Sequence, residues 1–287
     1  MRPFFEKHGD RLPNAGIFMS GSGSNAEALL NELSRLERPA MNVRAIITDA
    51  PGTSRARELG GLFGIKVIEL DIKEFYAERG ESRVSIATER GQEIREEWTN
   101  ALRKLVAPLE LDFGVFAGFV PLTNITGDFP CLNIHPGDLT YLKDGRRVFV
   151  GLHTIPIERV IVEGLDYMRS SVIVVEPYSG SGSEMDSGLL LGISPRVPVD
   201  FMGHSREELV ACLASRPPRR PRGGYGDLME KVASFNQGRL KEGGDWVVLP
   251  KAAVEFARGR YAIGDDGGLL HMENGVFTAV DTVEYGA

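Results

Sequence analysis

Cysteine is scarce. Cys131 and Cys212 are the only two in 287 residues, and they form no CxxC pair. That excludes a disulfide scaffold and a zinc knuckle, and such isolated cysteines are usually buried apolar residues in a reducing compartment. There is no HExxH and no His/Cys cluster, so no catalytic metal is expected. A GxSxG elbow is also missing, which removes the hydrolases built on it. The longest apolar run, Phe113 to Leu122, holds two glycines and a proline. It is about half of the roughly 20 residues needed to cross a membrane. The opening MRPFFEKHGDRLPN has no apolar core of a secretory signal. Positive charge is not in excess: 33 Lys+Arg stand against 40 Asp+Glu, a formal net charge of −7. This argues against broad nucleic-acid binding, though a small anion can still be held by local backbone geometry. The expectation is a cytoplasmic protein with small-molecule partners, no nucleic acid and no membrane, and homo-oligomerisation left open.

What is present is ordinary globular composition, 42% hydrophobic and 25% charged. Strand-like and helix-like segments alternate from the start. Ala15 to Ser20 is a short apolar run ending in Gly-Ser-Gly-Ser, and Asn25 offers a cap for a helix carrying Ala26, Leu29, Leu30, Leu33 and Leu36. Val43 to Thr48 reads as a second strand, Thr53 to Phe63 as a helix stopped by Gly64, and Ile65 to Leu70 as a third strand. A charged segment, Asp71 to Arg95, leads into a helix with an apolar face of Ile94, Trp98, Ala101, Leu102 and Leu105. Further strands are expected at Leu111 to Ala117, Cys131 to Ile134, Ser170 to Glu176 and Leu189 to Ile193, with a helix at Ile155 to Glu163. Ser205 and Glu208 form a capping box. Beyond the basic connector Arg216 to Arg222, the reading is a helix near Asp227 to Gln237, a strand near Asp245 to Leu249, a helix near Lys251 to Arg258 and a Gly-rich hairpin around Gly264 to Gly268. The whole reads as an α/β, Rossmann-like, mostly parallel sheet with helices on both faces. The expected division is an α/β domain over residues 1–214, with 215–287 an α/β extension packed on or beside it.

Three constellations carry chemistry. Ser20-Gly21-Ser22-Gly23-Ser24-Asn25 joins a strand to a helix, so its N–H groups and the helix N-terminus favour an anion. Read as G-x-G-x-x-A with Gly21, Gly23 and Ala26, it also matches a dinucleotide fingerprint, with Asp49 as ribose ligand. The plain alternative is a turn that needs glycine. Asn133 and His135 are two apart on an extended segment and share a face, a carboxamide beside an imidazole at a strand exit. Such a pair suits stabilising an oxyanion while moving a proton. It equally suits a strand-end histidine bonded to a backbone carbonyl. In Glu184-Met185-Asp186-Ser187-Gly188 a carboxylate is available to orient His135, or is an ordinary loop aspartate. His153 is a helix-start residue or a substrate contact, while His8, His204 and His271 read as surface residues.

Taken in this order, with Ala117-Gly118-Phe119, Leu132-Asn133-Ile134-His135-Pro136, Gly151-Leu152-His153-Thr154 and Met185-Asp186-Ser187-Gly188, these pieces resemble the folate-dependent formyltransferases, most of all the glycinamide ribonucleotide branch. The resemblance spans about Ala15 to Ala214. It implies a fold that binds 10-formyltetrahydrofolate as co-substrate, with no metal. It implies catalytic roles for Asn133, His135 and Asp186, a substrate-phosphate site at Gly21, Ser22, Gly23, Ser24 and Asn25, and a pterin pocket near Phe119, Val120 and Leu122. A side chain at Gly23 is expected to obstruct the phosphate. The implied activity is formyl transfer to a primary amine, in purine biosynthesis if the acceptor is glycinamide ribonucleotide. Alternatives are formyl-folate hydrolysis, an amino-sugar nucleotide acceptor, an NAD(P)-dependent oxidoreductase, and a non-catalytic sensor. Pro121 stands where the family commonly has Arg, and Gly137-Asp138-Leu139-Thr140 replaces Ser-Leu-Leu-Pro.

Overall fold

The computed structural model describes residues 1–6, 9, 11–178, 186–221 and 223–286. His8, Glu184 and Met185 of the motifs above lie outside them. The strands are β1 (Arg2–Pro3), β2 (Asn14–Phe18), β3 (Asn42–Thr48), β4 (Val67–Glu69), β5 (Phe113–Phe116), β6 (Cys131–His135), β7 (Leu142–Lys143), β8 (Arg146–Arg147) and β9 (Tyr167–Met168). They continue as β10 (Ser171–Val174), β11 (Leu190–Ile193), β12 (Val197–Pro198), β13 (Tyr261–Ile263), β14 (Leu269–Glu273), β15 (Val276–Ala279) and β16 (Val283–Glu284). The helices are α1 (Ser24–Arg35), α2 (Ala56–Phe63), α3 (Ile72–Ala77), α4 (Glu89–Val106), α5 (Ile155–Glu163), α6 (Arg206–Ala214), α7 (Leu228–Leu240) and α8 (Trp246–Ala257).

Among the described residues, eight strands make one sheet in the order β16-β11-β10-β6-β5-β2-β3-β4. The five strands from β4 to β6 are parallel, β10 runs against both neighbours, and β16 lies parallel to β11 at the edge. Alternation along β2 sends Ile17 to one face, with Leu29 of α1 and Val248 and Phe256 of α8. Phe18 goes to the other face, with Trp98 and Leu102 of α4. Helices therefore cover both faces, as the sequence predicts. A smaller sheet, β1-β13-β14-β15, includes the expected Gly-rich hairpin.

Several elements differ from the sequence reading. Asp245 to Leu249 is not a strand: α7 runs through a π turn, Lys241–Asp245, into α8. A short apolar run such as Val247-Val248-Leu249 has no periodicity of its own, and here Val248, Leu249, Ala252, Ala253 and Phe256 are buried at helical spacing. The cap of α1 is Gly23 at φ +68°, with no side-chain bond, so Asn25 sits inside the first turn and is buried. On α4, Leu105 is exposed, whereas Arg95, Thr99 and Val106 are buried. The charged segment before it becomes α3, capped by Asp71, which accepts from the N–H groups of Lys73 and Glu74. His271 is buried rather than on the surface. Its Nε2 lies 2.9 Å from Glu255 Oε2, which also accepts from the Tyr285 hydroxyl at 2.6 Å. In the connector, Arg216 is folded back onto Glu158 and Asp227 at 2.5 and 2.6 Å. The expected box of Ser205 and Glu208 forms with both bonds.

Phe256 joins these layers, with ring centroids 5.1, 5.5 and 5.3 Å from Phe4, Phe5 and Phe113. Phe256→Ala is expected to destabilise the chain by about 3–5 kcal/mol, read as a lower urea midpoint with an unchanged slope.

Candidate active site

The C-terminal ends of β2, β5 and β6 open onto a cleft of about 480 Å³, closed on its far side by the π turn between α7 and α8. Parallel strands place their exits together at this edge, where α/β folds build sites.

The Gly-Ser loop forms one wall. Gly23 needs its glycine for the fold, because an added Cβ would lie 2.6 Å from Met19 Cε and 2.9 Å from Leu59 Cδ1 at a positive φ. A substitution there disturbs the loop itself, which corrects the expectation that it would chiefly obstruct a ligand. Gly21 has nothing within 4 Å of such a Cβ and lines the cleft with Ser22, Ser24 and Asn25. Arg55 braces the loop from outside through the carbonyls of Gly21 and Ser22. Ser20 Oγ donates to Asp49 Oδ1 at 2.5 Å and accepts from Val120 N at 2.9 Å. Asp49 is thus committed beneath the loop and does not line the cleft, which takes away the ribose ligand required by the dinucleotide reading. Burial pushes its carboxyl up from the ordinary aspartate range, with the Ser20 bond acting against this.

Asn133 and His135 share the face of β6 that the sequence predicts, and Asp186 joins them from a distant loop. The imidazole is 3% exposed. Its Nδ1 lies 3.2 Å from Asp186 Oδ1 and its Nε2 2.6 Å from the Phe149 carbonyl. The histidine therefore does both things its position allowed, pairing with the carboxylate and bonding a backbone carbonyl. Both partners are acceptors, so a ring with a proton on each nitrogen satisfies both. Asp186 Oδ2 accepts from Gly151 N at 3.2 Å. Gly137 leaves room for this arrangement, since a Cβ there would lie 2.3 Å from Phe149 O and 2.8 Å from His135 Nε2. Phe119, Val120 and Leu122 line the cleft from the β5 side. Phe119 is packed on Phe18, Phe116 and Trp98, whereas Val120 is 52% exposed and offers its side chain to the opening. His153 also lines the cleft, and its carbonyl accepts from Gln237 Nε2 at 3.2 Å.

Sequence reasoning missed the far wall, made of Gln237, Lys241 and Asp245. Asp245 Oδ2 accepts from Asn25 Nδ2 at 3.1 Å and Oδ1 from Ser170 Oγ at 2.5 Å. Gly244 permits the second bond, because a Cβ there would lie 2.7 Å from Ser170 Oγ. Burial pushes the Asp245 carboxyl up, opposed by these two bonds and by the charges of Lys241 and His135. Asn25 Oδ1 is left buried with no partner among the described residues, and a buried acceptor of this kind calls for a donor. Lys241 is half-buried and has no ion-pair partner among them. The available signal was Gly243-Gly244-Asp245 inside a helical run, since π turns recur at functional sites.

No family model and no curated protein matches the chain. Solved structures do. The chain is similar to phosphoribosylglycinamide formyltransferase of Anaplasma phagocytophilum, with 18% identity and TM-score 0.59 over 96% of this chain and 98% of that one. It is similar to glycinamide ribonucleotide transformylase 1 of Symbiobacterium toebii, with 20% identity and TM-score 0.59 over 91% and 95%. Formyltetrahydrofolate deformylase of Burkholderia mallei aligns with 12% identity and TM-score 0.53 over 92% of this chain and 71% of that one. The chain has the fold that these formyltransferases and the deformylase share.

Proposed function

We propose that this protein transfers a formyl group from 10-formyltetrahydrofolate to a primary amine of a phosphate-bearing acceptor, glycinamide ribonucleotide being the acceptor best matched. One observation carries the reading: Asn133 and the His135–Asp186 pair share a cleft with a strand-to-helix Gly-Ser loop. The apolar side, Phe119, Val120 and Leu122, fits a flat heteroaromatic ring. The polar side fits the acceptor. The dipole of α1 favours its phosphate at Gly21 to Asn25, and Lys241 adds a cation to the same cleft. Asn25 Oδ1 accepts an N–H or O–H of the acceptor. As the amine attacks the formyl carbon, the Asn133 carboxamide donates to the oxygen that gains charge; the bond from that carbon to N10 of the folate then breaks, the proton lost by the amine ends on N10, and tetrahydrofolate leaves. His135 donates to the same oxygen after releasing the Phe149 carbonyl. Asp186 keeps the ring oriented through Nδ1.

Likeness to the deformylase makes hydrolysis the second reading, with water in place of the amine. Loss of 10-formyltetrahydrofolate is therefore measured with glycinamide ribonucleotide, with a panel of amino-sugar nucleotides, and with no amine. Loss only with an amine supports transfer, equal loss without one supports hydrolysis, and no loss under any condition defeats both.

Four variants test the residue roles. His135→Ala is expected to cost roughly 10²–10⁴ in turnover with folding retained, and Asn133→Ala to slow the same step. Intact turnover in a less stable His135→Ala protein would leave the pair purely structural. Gly21→Val, whose side chain enters open cleft, is expected to raise the acceptor KM while formyl-folate binding changes little. An unchanged acceptor KM counts against a phosphate at this loop. The fourth variant is at Asp245. Its carboxyl is raised in the folded state, so its contribution to stability is complete below the ordinary aspartate value of about 4 and is lost as pH rises through the raised one. Asp245→Asn lacks that loss, so its Tm should gain on the parent protein as pH climbs from about 4. A Tm difference that stays flat or narrows contradicts the assignment.

A further inference from the structure

Between His135 and α5 the chain makes an excursion for which the cleft chemistry so far has no use. Strands β7 and β8 pair around Asp144-Gly145, both at positive φ (51° and 73°), the geometry of a two-residue hairpin turn. Side chains anchor the hairpin to its surroundings. Lys143 Nζ meets Glu163 of α5 at 3.2 Å, Tyr141 stacks on Phe149 at 4.7 Å, and Arg159 Nη1 holds the carbonyls of Val148 and Val150 at 2.9 and 2.8 Å. The last hairpin residue, Arg147, is half-buried. Its Nη1 donates to the Asp186 carbonyl and its Nη2 to the Gly188 carbonyl at 3.0 Å.

The segment it grips is an awkward one. Asp186 stands at φ +64°, a conformation that residues with a side chain rarely adopt. From there its two carboxylate oxygens reach His135 Nδ1 and Gly151 N. Two residues on, Gly188 is pressed against β10, where a Cβ would lie 1.7 Å from the Val174 carbonyl. Residues 186–188 are thus pinned at one end by close approach and spanned by one guanidinium. Burial pushes the guanidinium down from its ordinary value, the nearby Asp186 carboxylate acting against this, so the side chain gives up hydration to stay in place.

We propose that Arg147 is a positioning residue: by forking across carbonyls 186 and 188 it holds Asp186 in the left-handed conformation that brings its carboxylate to His135. The planar fork presents two donors at a set spacing, matched to two carbonyls, whereas a lysine offers a single point charge. The part of this inference that concerns turnover rests on the formyl-transfer reading. The part that concerns geometry does not.

The test uses the full chain with ¹⁵N-labelled histidine, as the parent protein, Arg147→Met and Arg147→Lys. Circular dichroism and the urea midpoint establish that each variant is folded. The expected result is that the downfield His135 Nδ1–H signal moves upfield and exchanges faster in both variants. Formyl-folate turnover should fall roughly 10–100-fold in kcat with little change in the formyl-folate KM. A folded Arg147→Met whose His135 signal matches the parent overturns the proposal, as does full recovery of the signal by lysine. A signal that moves in a series where even the parent consumes no formyl-folate upholds the positioning role and defeats the formyl-transfer reading instead. Should Arg147→Met fail to fold, Arg147→Gln, which keeps one amide donor, is read in its place. A partial shift of the His135 signal then supports the fork, and a parent-like signal overturns it.

Discussion

Asp245 is a buried carboxylate with two donors, Asn25 Nδ2 and Ser170 Oγ, that lie 220 and 75 residues away in the chain. Through it the N-terminal loop, the start of β10 and the π turn meet at one point. A carboxyl group taken out of water must be matched by partners held in good geometry, and when it is, those partners lose their freedom as well. The Asn25 amide and the Ser170 hydroxyl are both committed to this carboxyl group. The position of Lys241 and Gln237 on the far wall follows from the same helix being seated there. The cleft is thus a product of the C-terminal segment as much as of the sheet.

Its two sides are built on different physics. The β5 side is apolar and backed by a stack of rings around Phe119, so its shape is set by packing. The loop side is set by hydrogen bonds that satisfy one another, Val120 N to Ser20 Oγ and Ser20 Oγ to Asp49. Ser20 belongs to both sides, since its hydroxyl serves the Gly-Ser loop and the Val120 backbone at once. A change in one wall is therefore felt by the other through a single side chain.

How much of this was legible in the sequence depended on the range of the interaction. Alternation from Cys131 and the Ser205/Glu208 box are local; the box forms as read, and the strand read over Cys131 to Ile134 forms with one residue more, to His135. Gly64 and Gly164 stop their helices at positive φ for a reason internal to the turn. The failures are long-range. Asn25 looked like a cap because nothing in its neighbourhood reveals a carboxylate 220 residues on. Val247-Val248-Leu249 looked like a strand because an apolar run this short is buried equally well in a helix, and only docking on the sheet decides. His271 looked exposed because its partners, Glu255 and Tyr285, come from two other elements. Asn133 and His135 show in the sequence through their spacing, and their catalytic role with Asp186 through a resemblance, yet the fork of Arg147 across the 186 and 188 carbonyls leaves no pattern in the sequence.

The way α8 covers the sheet has a bearing on how the chain is made. Ile17, Met19 and Leu29 belong to the same buried cluster as Val248 and Phe256, and the Asn25–Asp245 contact spans 220 residues. At about 5–20 residues per second of synthesis, the face under α8 waits roughly 10–50 s for its cover. Throughout that interval the nascent chain carries apolar side chains that the finished protein hides.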